Sequence, residues 1–441
     1  MQNNNPSPKS WRSVRSALNV MINPKAIDDI VKEEKRSAAG APAVLRAHEL
    51  IASLVNHALQ PTGTLSAHVR EVTGKQVGDA ALAARRQNLA WHALERILEI
   101  ALKPLARPRQ EPTAFYQGWR LVALDGTKFS LRNTPAILGR VSKPISRRLT
   151  AAFAKLNVVV LLELGVHNPL ALAVGREGES EMELARRLLA RIPRKSLFLG
   201  DRYYGVGPVV DSLLPLCAAG RAFLVRVKAN LGVKFVQALP DSSALVEVRF
   251  QQQRHLVREI RGTLRTREGR WVRVRLWTSL LDAKAHPALE LLRLYAQRWE
   301  QELGYKELKI DLHGGALLQS QTVATAAQEV AALVLAQAVL VRVRQRAGRA
   351  AGTLRVSFVK TLDVVRKLWW FVALAEDLLP PEKLTVLVNR AIRRLAQQVS
   401  APRRARSCPR AVRQPVSSWP RLLQNTQATG PIHYKLTPVT I

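Results

Sequence analysis

The predicted fold rests on two stretches of sequence, Val122-Ala123-Leu124-Asp125-Gly126-Thr127 and Leu197-Phe198-Leu199-Gly200-Asp201-Arg202. In each stretch an apolar run ends at an aspartate, and short apolar runs bounded by turn-forming residues are typical of buried strands. Ligands gather beyond strand ends in open α/β sheets, so Asp125 and Asp201 are candidates for one shared site. An aspartate at a strand end is also a common turn former, and these residues alone leave that alternative open.

Strands alternate with helices around these two stretches. Strands are predicted at 119–125, 157–164, 170–174 and 196–199. A helix is predicted from Glu181 to Arg191, where Ser180 and Glu183 have the spacing of a capping box. Alternating strands and helices indicate an α/β core, which we place at residues 111–348.

The segment after Asp201 is rich in predicted strands, at 223–228, 245–250, 256–261 and 271–277. Because no long helix interrupts them, we interpret about 220–283 as a β-rich insertion within the core. A long helix is then predicted from Pro287 to about Leu312, ending at Gly314-Gly315. A second, apolar helix over 322–346 is expected to pack across the sheet.

The N-terminal part of the chain is predicted to be helical after a flexible or weakly helical arm at 1–41. Helices are predicted at 44–58, 65–72 and 79–100, the last with Asp79 as N-cap and Arg85 and Arg86 in its early turns. This order of helices and breaks is that of a helix-turn-helix reader, so we interpret 42–110 as a DNA-binding domain in which Arg85 and Arg86 are expected to contact DNA. Any three-helix bundle has a similar pattern, which is the alternative.

The charge of the chain is strongly positive. Lys and Arg number 68 against 33 Asp and Glu, which gives a net charge of +35 and a pI of about 11.3. A polyanion such as nucleic acid is the partner that this balance favours, whereas an arginine-rich proteome is the alternative. The C-terminal region is assigned to 349–441. Its residues 383–441 contain no acidic residue and include the Arg403–Arg413 basic cluster, so this tail is expected to stay mobile until it meets DNA.

Cysteine content and hydropathy limit the cellular setting. The two cysteines, Cys217 and Cys408, are too few for a disulfide framework, which favours a reducing cytoplasm. The first 23 residues lack the apolar core of a signal peptide. The most apolar stretch, Val330 to Val341, is too short to span a bilayer, so no membrane role is predicted.

One helix carries a row of functional side chain types. In the predicted helix, Tyr295, Arg298, Glu302 and Lys309 fall within an arc of roughly 60° at about 100° per residue. A phenol, two cations and a carboxylate on one stripe would line a groove for a metal ion and a phosphodiester. The alternative is an exposed helix with an ion pair between Arg298 and Glu302. Together with Asp125 and Asp201, Glu302 would complete an all-oxygen site suited to Mg²⁺ or Mn²⁺.

These motifs resemble those of the DDE transposases of bacterial insertion sequences. The Tyr295, Arg298, Glu302 and Lys309 spacing matches the Tyr-(2)-Arg-(3)-Glu-(6)-Lys signature of that group at all four positions. Asp125-Gly126-Thr127 resembles its first acidic motif, and Gly200-Asp201-Arg202-Tyr203-Tyr204 resembles its second. A tyrosine here stands where the group often has glycine. The resemblance covers roughly 118–370.

The resemblance implies an RNase H-like core in which Asp125, Asp201 and Glu302 hold two Mg²⁺ or Mn²⁺ ions for cleavage and transfer of DNA strands. It also implies that Tyr295, Arg298 and Lys309 grip phosphates near the transposon end. Trp271 and Trp277 would stack a flipped base, although both are equally suited to a core.

The partners implied are terminal inverted repeats, target DNA and a second copy of the chain in a synaptic homodimer. Two alternatives stay open: a nuclease of the same fold without strand transfer, and a non-catalytic DNA-binding protein derived from a transposase.

Overall fold

The computed structural model describes residues 12–34, 44–60, 62–145, 150–250, 253–265, 271–353 and 356–400, with short segments between 406 and 438. The chain forms a mixed α/β structure around one large sheet. Its strands are β1 (Phe115–Tyr116), β2 (Trp119–Ser130), β3 (Lys155–Glu163), β4 (Asn168–Val174), β5 (Ser196–Gly200), β6 (Arg221–Arg226), β7 (Lys234–Ala238), β8 (Ala244–Phe250), β9 (Gln253–Arg265) and β10 (Trp271–Thr278).

The sheet has the strand order β4-β3-β2-β5-β6-β10-β9-β8-β7. Strand β2 pairs antiparallel with β3 and parallel with β5, and β5 pairs parallel with β6. Alternate residues of β2 enter different cores, because successive side chains of a strand point to opposite faces. Leu121 and Ala123 pack with the helix at 288–295, whereas Val122 and Leu124 pack with the helices at 181–189 and 207–218.

The two aspartates lie at the same level of neighbouring parallel strands. The prediction that Asp125 ends its strand is wrong, because β2 continues to Ser130 along β3. The parallel neighbour β5 stops instead, and its last pairing with β2 joins Ala123 to Leu199. Asp125 and Asp201 each stand two residues beyond that pair, which places them side by side.

The predicted β-rich insertion is not a separate unit. Strand β6 pairs with β5, and β10 pairs with β6, so the strands of 221–278 extend the central sheet. Strand β7 and the helix Gly207–Ala218 were not predicted. A strand at His433–Thr437 pairs with β9, which corrects the expectation of a mobile tail for those residues. Most of the Arg403–Arg413 cluster lies outside the described residues.

The α-helices are α1 (Val14–Asn19), α2 (Pro24–Glu34), α3 (Ala47–Leu59), α4 (Leu65–Thr73), α5 (Asp79–Gln87), α6 (Trp91–Ala101), α7 (Pro135–Leu138), α8 (Glu181–Leu189), α9 (Gly207–Ala218), α10 (Ala288–Tyr295), α11 (Glu300–Lys306), α12 (Val323–Ala351), α13 (Phe358–Ala375) and α14 (Pro381–Ala396). The expected flexible arm is instead helical at 14–19 and 24–34. Ile27, Ile30 and Val31 are buried in the same core as α3 and α6.

The predicted helix at 79–100 is divided into α5 and α6. The amide of Gln328 donates hydrogen bonds to the carbonyl oxygens of Arg86 and Leu89, at 2.6 and 3.1 Å. These bonds satisfy carbonyl groups that the break leaves without helical partners. Gly78, rather than Asp79, is the N-cap of α5.

Helix α12 crosses the core and is longer than predicted. It has 29 residues and begins at a capping box formed by Thr322 and Thr325. By length and composition alone it is apolar enough to cross a membrane, but 89% of its most apolar window is buried inside the protein. We therefore interpret it as the core helix of the fold.

The predicted single helix at 287–312 changes type along its length. It begins as α10, continues as a 3₁₀ turn at Ala296–Trp299, returns to α-helix in α11 and ends as a π-helix at Glu307–Leu312. It stops at Gly314 and Gly315, both at positive φ, as predicted. Because the rotation per residue changes, the common arc calculated for a uniform α-helix does not apply.

Candidate active site

Asp125 lies among other acidic groups. Burial and, to a smaller extent, the charges of Asp201 and Glu181 raise the pKa of its carboxyl to about 7, although the Gly126 N–H and Arg298 oppose the shift. The Gly126 N–H donates to Oδ1 of Asp125 over 2.9 Å. Asp125 and Asp201 therefore interact across the parallel strand pair, as their sequence positions predict.

Asp201 also shapes the loop that follows β5. Its Oδ1 accepts hydrogen bonds from the backbone N–H groups of Tyr203 and Tyr204, at 2.7 and 3.3 Å. This is the local turn proposed as the alternative to a ligand role. The two roles are compatible, because a turn that holds one oxygen fixes the direction of the other.

Arg298 is the positively charged residue that interacts with these acidic side chains. Burial lowers its pKa, but Tyr295, Asp201 and Glu302 more than offset that effect and raise it. Its side chain is only 13% exposed, and its Nη2 lies 3.3 Å from Oε1 of Glu302. Its buried Nε has no hydrogen-bond partner. The positive charge of Arg298 therefore interacts with both Asp201 after β5 and Glu302 on the helix.

Glu302 does not close a three-carboxylate site in this conformation. Its side chain is 53% exposed and is paired with Arg298. Within the described residues, no three His, Cys, Asp or Glu side chains are grouped closely enough to hold a metal ion. The structure thus brings Asp125 and Asp201 together, whereas Glu302 is paired with Arg298.

The helix that carries Glu302 is attached to the strand that carries Asp125. The Tyr305 hydroxyl donates to the Asp125 carbonyl oxygen and accepts the Val160 N–H over 3.0 Å. The Gln301 side chain donates to the Val160 carbonyl over 3.2 Å. A Cβ at Gly304 would lie 2.5 Å from a Leu162 methyl carbon, so a larger residue at 304 would have to displace the Leu162 side chain. Glu302 is therefore held close to β2.

A largely buried charge network, which we call the His167 network, fixes the C-terminal half of that helix. It consists of His167, Glu300, Glu307 and Arg344. The His167 Nε2 lies 2.6 Å from Glu300, and Arg344 lies 2.6 Å from Glu307. The His167 Nδ1 is 3.0 Å from Glu307, an ion-pair distance without the alignment of a hydrogen bond.

Burial would lower the pKa of His167, but Glu307 and Glu300 raise it to about 9. Burial would raise the pKa of Glu307, but Arg344 and His167 lower it to about 2. The opposite charges of this network therefore stabilise one another.

The remaining signature residues have different environments. Tyr295 is 7% exposed, and burial raises the pKa of its phenol. Lys309 donates to the Lys128 carbonyl over 2.8 Å and lies above the Phe129 ring. Tyr295 and Arg298 thus adjoin Asp201, whereas Lys309 lies farther along β2.

Trp277 is fully buried, so the predicted stacking on DNA is wrong for this residue. Its indole N–H donates to Glu259 over 2.7 Å, and its ring packs near Phe250 and Arg275. Strand β10 is covered on this face, and no side of the ring is open to a base. Trp271 is 52% exposed, so the same role stays a prediction for it.

The side chains of Arg85 and Arg86 form hydrogen bonds within the protein instead of extending into solvent. Arg86 donates to Ser320, over 3.1 Å, and to the Thr325 carbonyl, over 2.8 Å, and Arg85 donates to the Leu45 carbonyl over 3.1 Å. Burial lowers the pKa of Arg86. These contacts join the N-terminal helices to the start of α12, which corrects the predicted DNA contact of Arg86.

A basic groove lies beside Asp201. Its cavity has a volume of about 720 Å³, and a strand edge at 437–438 forms part of its wall. Its arginines are Arg202, Arg226, Arg261, Arg273 and Arg275. Arg226 also acts electrostatically on Tyr295. The groove therefore continues from the acidic group along β6, β10 and β9.

Sequence reasoning missed Glu181, Tyr305 and the His167 network. Glu181 lies beside Ser180 and Glu183, whose capping-box spacing was the only signal in that stretch. Tyr305 and Glu307 lie within the signature helix, but their partners are 145 and 37 residues distant in the chain. Contacts of this kind leave no periodic pattern.

The chemistry of the three predicted acids, although not their arrangement in this conformation, fits a divalent metal ion. Asp125, Asp201 and Glu302 offer carboxylate oxygens, the ligands that Mg²⁺ and Mn²⁺ prefer. The raised pKa of Asp125 results mainly from burial and also from repulsion by Asp201 and Glu181, and a bound cation would relieve that repulsion.

Comparisons with known proteins identify the family of the chain. Residues 117–338 match the family model described as a transposase DDE domain. The chain is 25% identical over 368 residues to the transposase InsG for insertion sequence element IS4 of Escherichia coli (strain K12), with 80% of each chain covered.

Among solved structures, the chain is similar to that of the piggyBac transposase synaptic complex with hairpin DNA. The TM-score is 0.42 and the identity 10%, over 91% of this chain and 87% of that one. The family match includes all three predicted acids and spans more than half of the 441 residues, so the chain belongs to the DDE transposases, enzymes that act on DNA.

Proposed function

We propose that this transposase cuts DNA at the ends of its insertion sequence and transfers the ends into target DNA by metal-dependent chemistry. The observation that carries the proposal is the placement of Asp125 and Asp201 at one level of β2 and β5, beside the helix of Glu302. Together with the family, this mixed sheet supports an RNase H-like core at 111–348, preceded by helical segments and followed by a C-terminal region.

Asp125, Asp201 and Glu302 are the residues that would hold Mg²⁺ or Mn²⁺, two ions per site. When bound, such ions lower the pKa of an attacking oxygen and stabilise a leaving oxygen. Glu302 has first to leave Arg298, whose positive charge it now shares. A DNA phosphate is a natural competitor for that guanidinium, because arginine binds phosphate through paired charged hydrogen bonds.

The DNA backbone would lie along the basic groove. Arg298 and the groove arginines provide charge next to Asp201, and Lys309 provides charge farther along β2. Such contacts position the phosphodiester without reading its sequence. Tyr295 is buried, so it supports Arg298 rather than attacking DNA.

The partners proposed are terminal inverted repeats and target DNA in the bacterial cytoplasm. Two ends have to be joined to one target, which favours a homodimer in the synaptic complex. A net charge of +35 supports binding to DNA over extended lengths.

The test is a cleavage and strand-transfer assay with the purified chain, Mg²⁺ and DNA carrying the element's own ends. Asp201→Asn removes a charge yet keeps the oxygen that accepts from Tyr203 and Tyr204, so the loop is retained. We expect Asp201→Asn and Glu302→Gln to lower cleavage by at least about 100-fold.

Glu33→Gln is the matched control. Glu33 is an exposed glutamate of α2, and its partner Arg96 keeps Glu34. Undiminished cleavage in both active-site variants would contradict the assignment. Cleavage by the wild type without strand transfer would instead indicate a nuclease. If the wild type binds DNA but does not cleave it, the protein is a non-catalytic DNA-binding protein.

A further inference from the structure

We propose that Glu181 is a fourth carboxylate of the active site, a positioning residue that strengthens the binding of divalent cations beside Asp125. The inference rests on the proposed metal-dependent function and adds a residue that the three-acid motif does not include. It is carried by three contacts, which involve Gly126, Tyr204 and the start of helix α8.

The first contact is the close approach of Glu181 to Gly126, the residue after Asp125. A Cβ built on Gly126 would lie 2.0 Å from the Glu181 Cδ and 2.3 Å from its Oε2. Atoms cannot approach so closely, so any larger residue at 126 would displace the carboxylate. The absence of a side chain at 126 therefore opens the place that Glu181 fills.

The second contact sets the direction of the carboxylate. The Tyr204 hydroxyl, on a fully buried residue, donates to Oε1 of Glu181 over 2.8 Å. The backbone N–H of Tyr204 also donates to Asp201. One tyrosine thus links Glu181 to Asp201, and it occupies Oε1 while Oε2 points toward Gly126.

The third contact fixes the backbone from which Glu181 extends. Glu181 is the first residue of α8, whose N-cap Ser180 forms a reciprocal capping box with Glu183. A capped first turn has little freedom to move. Glu181 is therefore held in place from the helix side as well as from its carboxylate.

The position of Glu181 suits a charge that supports a cation rather than one of its principal ligands. It approaches β2 from the face covered by α8 and α9, whereas Asp125 follows Leu121 and Ala123 on the opposite face. The two acids meet where β5 has ended and Gly126 leaves a gap. A negative charge held there increases the attraction for a cation between Asp125 and Asp201.

A purely structural role for Glu181, as an acceptor for Tyr204, makes a different prediction. Glu181→Gln removes the charge but keeps an oxygen able to accept from Tyr204. Tyr204→Phe keeps the charge and removes the hydrogen bond. A structural role would therefore be sensitive to Tyr204→Phe, and a charge role to Glu181→Gln.

The experiment measures Mn²⁺ binding to the full chain without DNA, by electron paramagnetic resonance of the free ion. We expect Glu181→Gln to weaken Mn²⁺ binding about tenfold, while thermal unfolding without metal stays close to that of the wild type. Glu183→Gln, an exposed neighbour on the same helix that can keep its capping box, should bind Mn²⁺ within about twofold of the wild type.

Asp125→Asn and Asp201→Asn separate this inference from the proposed function. If they weaken Mn²⁺ binding but Glu181→Gln binds within about twofold of the wild type, the role of Glu181 is overturned and the function stands. If neither aspartate matters, the proposed metal site itself is wrong, and this inference with it.

If Glu181→Gln does not fold, Glu181→Asp gives the second test. It keeps the charge but withdraws it from Gly126 by one methylene group. An about threefold weaker Mn²⁺ affinity is expected, and an unchanged affinity would overturn the proposal.

Discussion

Two glutamates on one helical segment have opposite environments. Glu307 is buried and lies between His167 and Arg344, with Arg344 at 2.6 Å. Glu302, five residues earlier, is 53% exposed and has a single arginine at 3.3 Å. One end of the segment is therefore fixed by charges that are already neutralised. At the other end, the negative charge of Glu302 is only partly neutralised by the protein. The proposed site for a metal ion and DNA would require such a charge.

The largest expected effect separates the two glutamates by stability. Glu307→Ala leaves the positive charges of His167 and Arg344 buried without their common partner, and we expect the free energy of unfolding to fall by about 3–5 kcal/mol. Glu302→Ala, its matched control, removes an exposed pair and should cost at most about 1 kcal/mol. Urea unfolding measures the free energy of unfolding of both variants. Equal decreases in the two variants would contradict the difference between the two ends of the segment.

The contribution of the His167 network to the free energy of unfolding should depend on pH. The pKa of His167 is raised from its ordinary value of 6.5 to about 9 in the folded protein. Its stabilisation is therefore complete below pH 6.5 and is lost as the pH rises through about 9, a change on the order of 3 kcal/mol at most. Urea unfolding at pH 6, 7.5 and 9 measures it. His167→Gln should flatten this dependence, and a variant with the wild-type slope would exclude His167 as its source.

The active-site end should show the opposite dependence on pH in its affinity for metal. Because the pKa of Asp125 is raised to about 7, a proton competes with the cation below that pH. Mn²⁺ affinity should therefore increase about tenfold from pH 6 to pH 8, and Asp125→Asn should lose most of this increase. Calorimetric titration at the two pH values provides the measurement. A pH-independent affinity in the wild type would show that Asp125 is not a ligand.

The smallest effect concerns the arginine that Glu302 now contacts. Arg298→Gln removes a cation from the acidic group, so Mn²⁺ affinity without DNA should rise about two- to threefold. Affinity for DNA ends should fall, because the proposed contact of Arg298 with a phosphate would be lost. The exposed Arg140, which pairs with Glu177 on the surface, gives the control variant Arg140→Gln. A lower Mn²⁺ affinity in Arg298→Gln would mean that Arg298 orders the acids rather than competing with the ion.

Much of this comparison was predictable from sequence where the signal is local. The apolar runs that precede Asp125 and Asp201 predicted two strands, and the signature spacing predicted that Glu302 shares a helix with Arg298. Their pairing follows from the i,i+4 distance, which was the stated alternative. What local patterns give is the identity of the acids and the elements that carry them.

The parts that were not predictable depend on distant contacts. Trp277 is buried in a strand that pairs with β6 on one side and β9 on the other, and the Phe250 ring packs near its indole. Arg86 points inward because it donates a hydrogen bond to the Thr325 carbonyl of α12. The change to 3₁₀ and π geometry around Glu302 also breaks the uniform arc assumed from the spacing. A sequence pattern shows what a side chain is able to do, whereas tertiary packing decides whether it faces solvent.

The central claim is that Asp125, Asp201 and Glu302 share metal ions once DNA is bound. It is tested most directly by locating Mn²⁺ through its anomalous scattering in crystals of the complex with DNA ends. The account predicts Mn²⁺ in contact with carboxylate oxygens of all three residues and Arg298 on a DNA phosphate. Mn²⁺ bound elsewhere, or Glu302 still paired with Arg298 beside bound Mn²⁺, would contradict it.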